Sequence, residues 1–202
     1  DAFGVARLDE AVVLRKEGYR NKIVLLEGVL DSSELRQAFD LNLDIVIHSD
    51  YQIDLLTHQD RKFRVWFKIN TGMNRLGFRP PDARSSLQTI RKYSNEIILM
   101  THFSCAQLSK DISAVRQEEA FDEIIMGASE EKSLANSAAI LALPSTHRDW
   151  VRPGLMLYGV SPFTGTIASE YGLRPVMTLK SRLIATQGVS AGEYIGYGKN
   201  YI

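Results

Sequence analysis

What this sequence has little of narrows its class first. It holds one cysteine, Cys105, so no disulfide can close within it. A lone thiol suits a reducing, cytoplasmic setting. Its 24 basic and 24 acidic side chains cancel to a formal net charge of zero. Such a balance gives neither nucleic acid nor an anionic membrane an electrostatic handle. No apolar run approaches the roughly 18 residues of a membrane span. The four histidines, His48, His58, His102 and His147, stand at no zinc-ligand spacing, and no metal is expected. Repeats and low-complexity tracts are absent as well. The opening Asp1-Ala2-Phe3-Gly4-Val5-Ala6 is neither a signal peptide nor an initiator methionine. It reads as a strand already under way, so a front cut before a first strand is expected.

What is present is a packed α/β pattern. Hydrophobic residues make up 45% of the chain, enough for a core. Apolar runs at 1–6, 22–27, 43–48, 64–70, 96–103, 133–137 and 150–159 give seven candidate strands. Helical patterns follow most of them, at about 8–17, after Asp31, after Asp50, from Pro80, over 112–126 and through Ala138. Asp31 and Glu34 have the spacing of a capping box, and Asp50 is placed to cap the next helix. Strand–helix alternation means a parallel sheet with helices outside. A doubly wound sheet usually carries a glycine-rich phosphate loop after its first strand, and none occurs here. The expected fold is therefore α/β, a (β/α)8 TIM-type barrel lacking its first strand. It occupies residues 1–165. From 166 to 202 the texture changes. A long alternating stretch at 175–186, a turn at 188–192 and a further stretch at 194–201 predict the start of an antiparallel β-domain.

Val65, Phe67 and Ile69 alternate with Trp66, Lys68 and Asn70, so this strand has two distinct faces. A lysine on the same face as a tryptophan must be paired, neutralised or able to reach water. Arg75 follows on a loop bounded by Gly72 and Gly77. Together the two cations suit an anionic or carbonyl ligand; a half-exposed strand with a solvated lysine is the plainer alternative. His102, Asn136, Ser137, Arg152 and Gly154 also fall at or just beyond strand ends. In a barrel these ends form the mouth. His102 reads either as a hydrogen-bonded structural group or as part of a site. Asn136-Ser137 read either as a helix cap or as a phosphate seat. Tyr197, between Gly196 and Gly198, reads either as a strand aromatic or as an exposed acid/base.

Six segments in one order then carry a resemblance. They are DAFGVARLDE at 1–10, KINTGMNRLG at 68–77, THF at 101–103, ANSA at 135–138, VRPGLMLYG at 151–159 and GYG at 196–198. The ordered set resembles the alanine racemases, which are pyridoxal-phosphate enzymes with a barrel and a C-terminal β-domain. The resemblance implies a pyridoxal 5'-phosphate cofactor and an amino-acid substrate. It also implies interconversion of L- and D-alanine by two bases, a supply of D-alanine for peptidoglycan, and a homodimer with shared active sites. By position, Arg152 matches the arginine facing the cofactor's pyridine nitrogen. Ser137, with the backbone at Gly154 and Leu155, matches the phosphate cradle. Arg75 matches the arginine near the phenolic oxygen and the substrate carboxylate. Lys68 matches a lysine that is carbamylated in many members and orients that arginine. Tyr197 matches one of the two bases, reaching the other subunit's site. His102 matches the histidine that helps this tyrosine lose its proton.

One departure stands out. The family's Schiff-base lysine lies in a KANAYGH-like segment on the first barrel strand, and no such segment occurs here. The lysines other than Lys68 (16, 22, 62, 92, 110, 132, 180 and 199) are expected on helices, loops or the late β segment. The chain thus resembles an internal piece of a racemase and is expected to be inactive alone. Two other classes compete. A non-catalytic pyridoxal-phosphate carrier shares the barrel but lacks the β-domain. An aldolase-type enzyme would use Lys68 itself as the nucleophile. Related racemases acting on other amino acids share these motifs.

Overall fold

A computed structural model describes residues 1–108 and 111–201, so Lys110 and Ile202 lie outside the described residues. Five apolar runs become β1 (Ala2–Val5), β2 (Lys22–Leu25), β3 (Asp44–Ile47), β4 (Phe63–Lys68) and β5 (Ser94–Met100); the strand expected at 133–137 lies earlier, as β6 (Glu131–Ser133), and Ser137 already belongs to a helix. All neighbours are parallel, and the strands lie side by side in chain order. Unreversed order with a helix in each crossover is the wall of a barrel; a doubly wound sheet would reverse at a switch point. The result is a six-stranded partial TIM-type barrel.

The helices are α1 (Leu8–Lys16), α2 (Ser32–Asp40), α3 (Asp50–Thr57), α4 (Pro80–Tyr93), α5 (Ser113–Ile124) and α6 (Ser137–Ala142). Asp31 caps α2, its Oδ1 accepting the N–H groups of Ser33 and Glu34 at 2.7 and 2.9 Å. Glu34 reaches back one residue further than a capping box requires, to the Leu30 N–H at 2.8 Å. Asp50 was expected as a cap. Ser49 takes that position, and Asp50 lies in the first turn, where a carboxylate still favours the dipole.

The two faces of β4 separate as their alternation predicts. Val65 and Phe67 pack outward under the helices with Ile45, Ile47, Leu99 and Phe121. Trp66 faces inward with Val24, Val46, Ile98 and Met100. Below it, Asp44 accepts the Trp66 indole N–H at 3.1 Å and meets Arg64 at 3.4 Å. Lys68 shares the parity of Trp66 and so ends β4 on the inner side, above this polar floor.

Three expectations need correction. The stretch 150–159 is not a seventh strand. It makes one bridge, Ser133 to Trp150, then an extended segment and a 3₁₀ turn (Leu155–Tyr158). Pro153 has no N–H to give a ladder. Residues 175–186 form no strand either. Leu179 and Ile184 are 102% and 99% exposed there, so the alternating pattern has no partner strand to pair with. The 194–201 stretch keeps only an isolated Ile195–Tyr201 bridge. Two lysines expected on helices or loops are on strands: Lys22 opens β2 and Lys132 lies in β6.

Candidate active site at the strand ends

The loop after β4 carries the exposed Arg75, whose charge acts on Lys68. Phe78 N–H returns to the Lys68 carbonyl at 2.9 Å, and Asn70 N–H reaches the Phe78 carbonyl at 2.8 Å. Asn70 Oδ1 collects the N–H groups of Gly72 and Asn74 at 3.1 and 3.0 Å, folding the chain between them. Gly77 closes the loop at φ 117°, and a Cβ there would stand 2.8 Å from Asn70 N. Only glycine fits that return.

Lys68 is 6% exposed. Burial first, then the positive charges of Arg152 and Arg75, pull its ammonium from 10.5 down to about 8. Across the mouth, Arg152 donates to Ser133 Oγ, to the Thr101 carbonyl and, at 3.2 Å, to the Leu134 carbonyl. Its Nη2 lies 3.3 Å from His102 Nδ1. Burial, then Arg152, Lys68 and Arg75, lower the His102 imidazole to about 3, so the ring is neutral. With Nδ1 facing a guanidinium, the ring proton belongs on Nε2. Among the described residues, none of Lys68, Arg75 and Arg152 pairs with a carboxylate. A cluster of cations with no internal counter-charge is made for an anion.

Beside the cluster, Asn136 caps α6 by accepting the Ala139 N–H at 3.1 Å, and its amide donates to the Phe103 carbonyl at 3.2 Å. Ser137 is therefore the first residue of the helix. Its Oγ accepts the N–H groups of Gly154 at 2.9 Å and Met156 at 3.3 Å. With both acceptor positions filled, its own O–H is left to donate. Leu155 opens the 3₁₀ turn, where a first N–H has no acceptor within the turn. Ser137, Gly154, Leu155 and Met156 are thus brought together at one turn.

Lys68, Arg75, His102, Arg152, Ser137 and Gly154 are brought to one end of the sheet. Tyr197 is not. It is 102% exposed, in a short turn (Tyr197–Lys199) without a hydrogen bond to the cluster. Sequence reasoning missed Gln117, on α5, which bonds to Thr71, His102 and Ser104 beneath the cluster. The available signal was a polar residue on the apolar stripe of Ala114 and Phe121. Among the described residues, no group of acidic, histidine or cysteine side chains could hold a metal, and no helix is long and apolar enough to cross a membrane.

The Lys68 shift makes a stability prediction. Below pH 8 folded and unfolded chains both carry the proton, and folding bears the full cost of burying it. Between pH 8 and 10.5 only the unfolded chain holds it, so stability rises with pH. In bicarbonate-free buffer, Lys68→Met is expected to stabilise the protein at pH 7 by up to roughly 3 kcal/mol. The gain should shrink through that window and vanish near pH 10.5. Urea unfolding of both proteins across the range checks this; a gain independent of pH would contradict it.

Comparison with known proteins gives a consistent picture. The family described as "Alanine racemase, N-terminal domain" matches residues 1–162. The chain is 42% identical over 206 residues to an alanine racemase of Vibrio atlanticus, covering 100% of this chain and 58% of that protein. It is 43% identical over 209 residues to one of Nitrosomonas eutropha, with the same two coverages. Among solved structures, the biosynthetic alanine racemase of Pseudomonas aeruginosa superposes with a TM-score of 0.93 at 39% identity, covering 100% of this chain and 57% of that one. That of Acinetobacter baumannii gives 0.92 at 35%, covering 100% and 58%. The chain therefore spans somewhat under three-fifths of the relatives it matches.

Proposed function

The chain belongs to the alanine racemase family, and on that premise we propose that the complete protein interconverts L- and D-alanine with pyridoxal 5'-phosphate. The observation that carries this is the group of Lys68, Arg75 and Arg152, without carboxylate partners, beside the Ser137 hydroxyl cradle. That donor set fits the cofactor. Its phosphate would take the Ser137 O–H and the Leu155 N–H, at the turn where Gly154 and Met156 hold the serine in place. When bound, pyridoxal phosphate supplies an electron sink conjugated to the substrate's Cα.

The chain's own residues then have definite work. Three Arg152 donor contacts go to Ser133, Thr101 and Leu134, which fixes the guanidinium and leaves other N–H groups to face a ring nitrogen. Arginine keeps its proton, so that nitrogen can only accept. Arg75 binds the substrate carboxylate. His102, neutral, presents Nε2–H as a donor that stabilises the phenolate of Tyr197. That phenolate takes or returns the Cα proton on one face. The base on the other face is the family's first-strand lysine, which no lysine in this sequence matches.

Lys68 orients Arg75. Its lowered pKa leaves free amine available to combine with carbon dioxide near neutral pH. The resulting carbamate replaces a cation between two cations by an anion.

Residues 166–202 begin a second domain. Val176, Met177, Leu179, Leu183 and Ile184 are 65% to 102% exposed there, the kind of apolar surface that a following domain or second subunit covers. Tyr197 would reach the site of that second subunit.

The test uses the complete protein, cofactor and L-alanine in an assay coupled to D-amino-acid oxidase. D-alanine is the expected product. Product from serine or lysine but not from alanine would overturn the substrate and leave the reaction class standing.

A further inference from the structure

We propose that Gln117 is a positioning residue whose amide locks the two loops after β4 and β5 together and thereby fixes His102. The proposal rests on the racemase reading for its catalytic meaning and on geometry alone for the lock. Gln117 is 3% exposed, midway along α5. A primary amide buried at a helix–sheet interface is costly unless its donors and acceptors are used. All are used. Oε1 accepts the Ser104 N–H and the Ser104 O–H, each at 3.0 Å. Nε2 donates to the His102 carbonyl at 3.0 Å and to Thr71 Oγ1 at 3.3 Å.

These partners hold the chain immediately after His102. The carbonyl of His102 and the N–H of Ser104 are anchored to one side chain, so the peptide that carries the imidazole cannot rotate freely. Thr71 extends the lock, because its Oγ1 lies 2.7 Å from Thr101 Oγ1. The Thr101 carbonyl in turn receives Arg152. One amide outside the mouth thus sets the residues on which both His102 and Arg152 depend. Gly72 lies against it as well, since a Cβ there would come within 3.4 Å of Gln117 Cγ. An amide that only filled the interface would need no bonds to two different loops.

Two variants of the complete holoenzyme test this. Gln117→Met keeps length and volume but removes every hydrogen bond. Thr71→Val cuts only the outer arm. In Gln117→Met, kcat for alanine is expected to fall about tenfold or more, as a shift of the order of an ångström in a positioned group can cause. KM should change little. The pH profile of kcat/KM should move, with a smaller move in Thr71→Val. Nitrogen NMR of the His102 imidazole supplies a readout that does not need turnover. Arg152, Lys68 and Arg75 are the charges that act on this ring. A ring released from its place beside them should titrate at higher pH than in the parent protein.

Loss of thermal stability with a superimposable pH profile and an unchanged His102 titration would overturn the proposal. If Gln117→Met does not fold, Thr71→Val decides by the same two readouts. If the parent protein racemises no amino acid, the reading of the previous subsection falls. The His102 titration then decides the lock by itself.

Discussion

Replacing Arg152 by glutamate is expected to cut alanine racemisation about a hundredfold or more and to divert part of the remaining turnover to pyruvate. The guanidinium is held by Ser133 Oγ and by the carbonyls of Thr101 and Leu134. A carboxylate in that place faces two carbonyl oxygens and has nothing to give them. It relieves the mismatch by taking a proton, which it can share with a ring nitrogen. A ring nitrogen protonated in this way would draw electrons from Cα more strongly, so the proton would return to the wrong atom more often. Arg152→Lys keeps the charge, loses the fork, and should lose less activity without forming pyruvate. Lactate dehydrogenase with NADH reads the pyruvate, and a melting curve checks that the variant is folded. A glutamate variant with its racemase rate intact and no pyruvate would show that Arg152 does not govern the ring.

Residues 1–202 on their own are expected to give no racemase turnover and to aggregate. Among the described residues, β1 pairs only with β2, and beyond β6 the ladder continues as one bridge to Trp150. Both edges of the sheet are therefore open to another chain. The inner face of Val24, Val46, Trp66, Ile98 and Met100 is already buried, with Trp150 packed against it, so the aggregation expected here is through the strand edges. On the proposed reading the covalent lysine belongs to a segment that nothing in this sequence resembles, and Lys68, beside the charges of Arg75 and Arg152, is not expected to replace it. Size-exclusion chromatography and an assay of the purified chain read both expectations. Turnover matching that of the complete protein would make Lys68 the covalent lysine.

Much of this arrangement is legible in the residues. Runs of branched apolar residues mark β2, β3 and the end of β5, because a parallel strand buried on both faces has no reason to alternate. β4 is the exception, and its alternation located Lys68 on the inner face with Trp66. Less legible were the places where partners decide. The 150–159 stretch is apolar enough for a strand, but Pro153 and the approach of Gly154 to Ser137 turn it into a cradle. The 175–186 pattern is that of a strand, but a ladder needs a second strand and none among the described residues supplies it. Arg152 is held largely by backbone carbonyls, which every residue possesses, so no side-chain pattern announces its seat. Gln117 could be flagged as polar on an apolar stripe, while its three partner residues come from loops 13 to 46 residues away.

The account turns on whether this mouth removes and returns the Cα proton of alanine. The direct measurement is proton NMR of L-alanine in D₂O with the complete protein and pyridoxal phosphate. The expected result is loss of the Cα–H signal in step with the appearance of D-alanine, slowed strongly in Arg152→Glu. An unexchanged Cα–H signal, in a folded protein that holds the cofactor, would contradict the account.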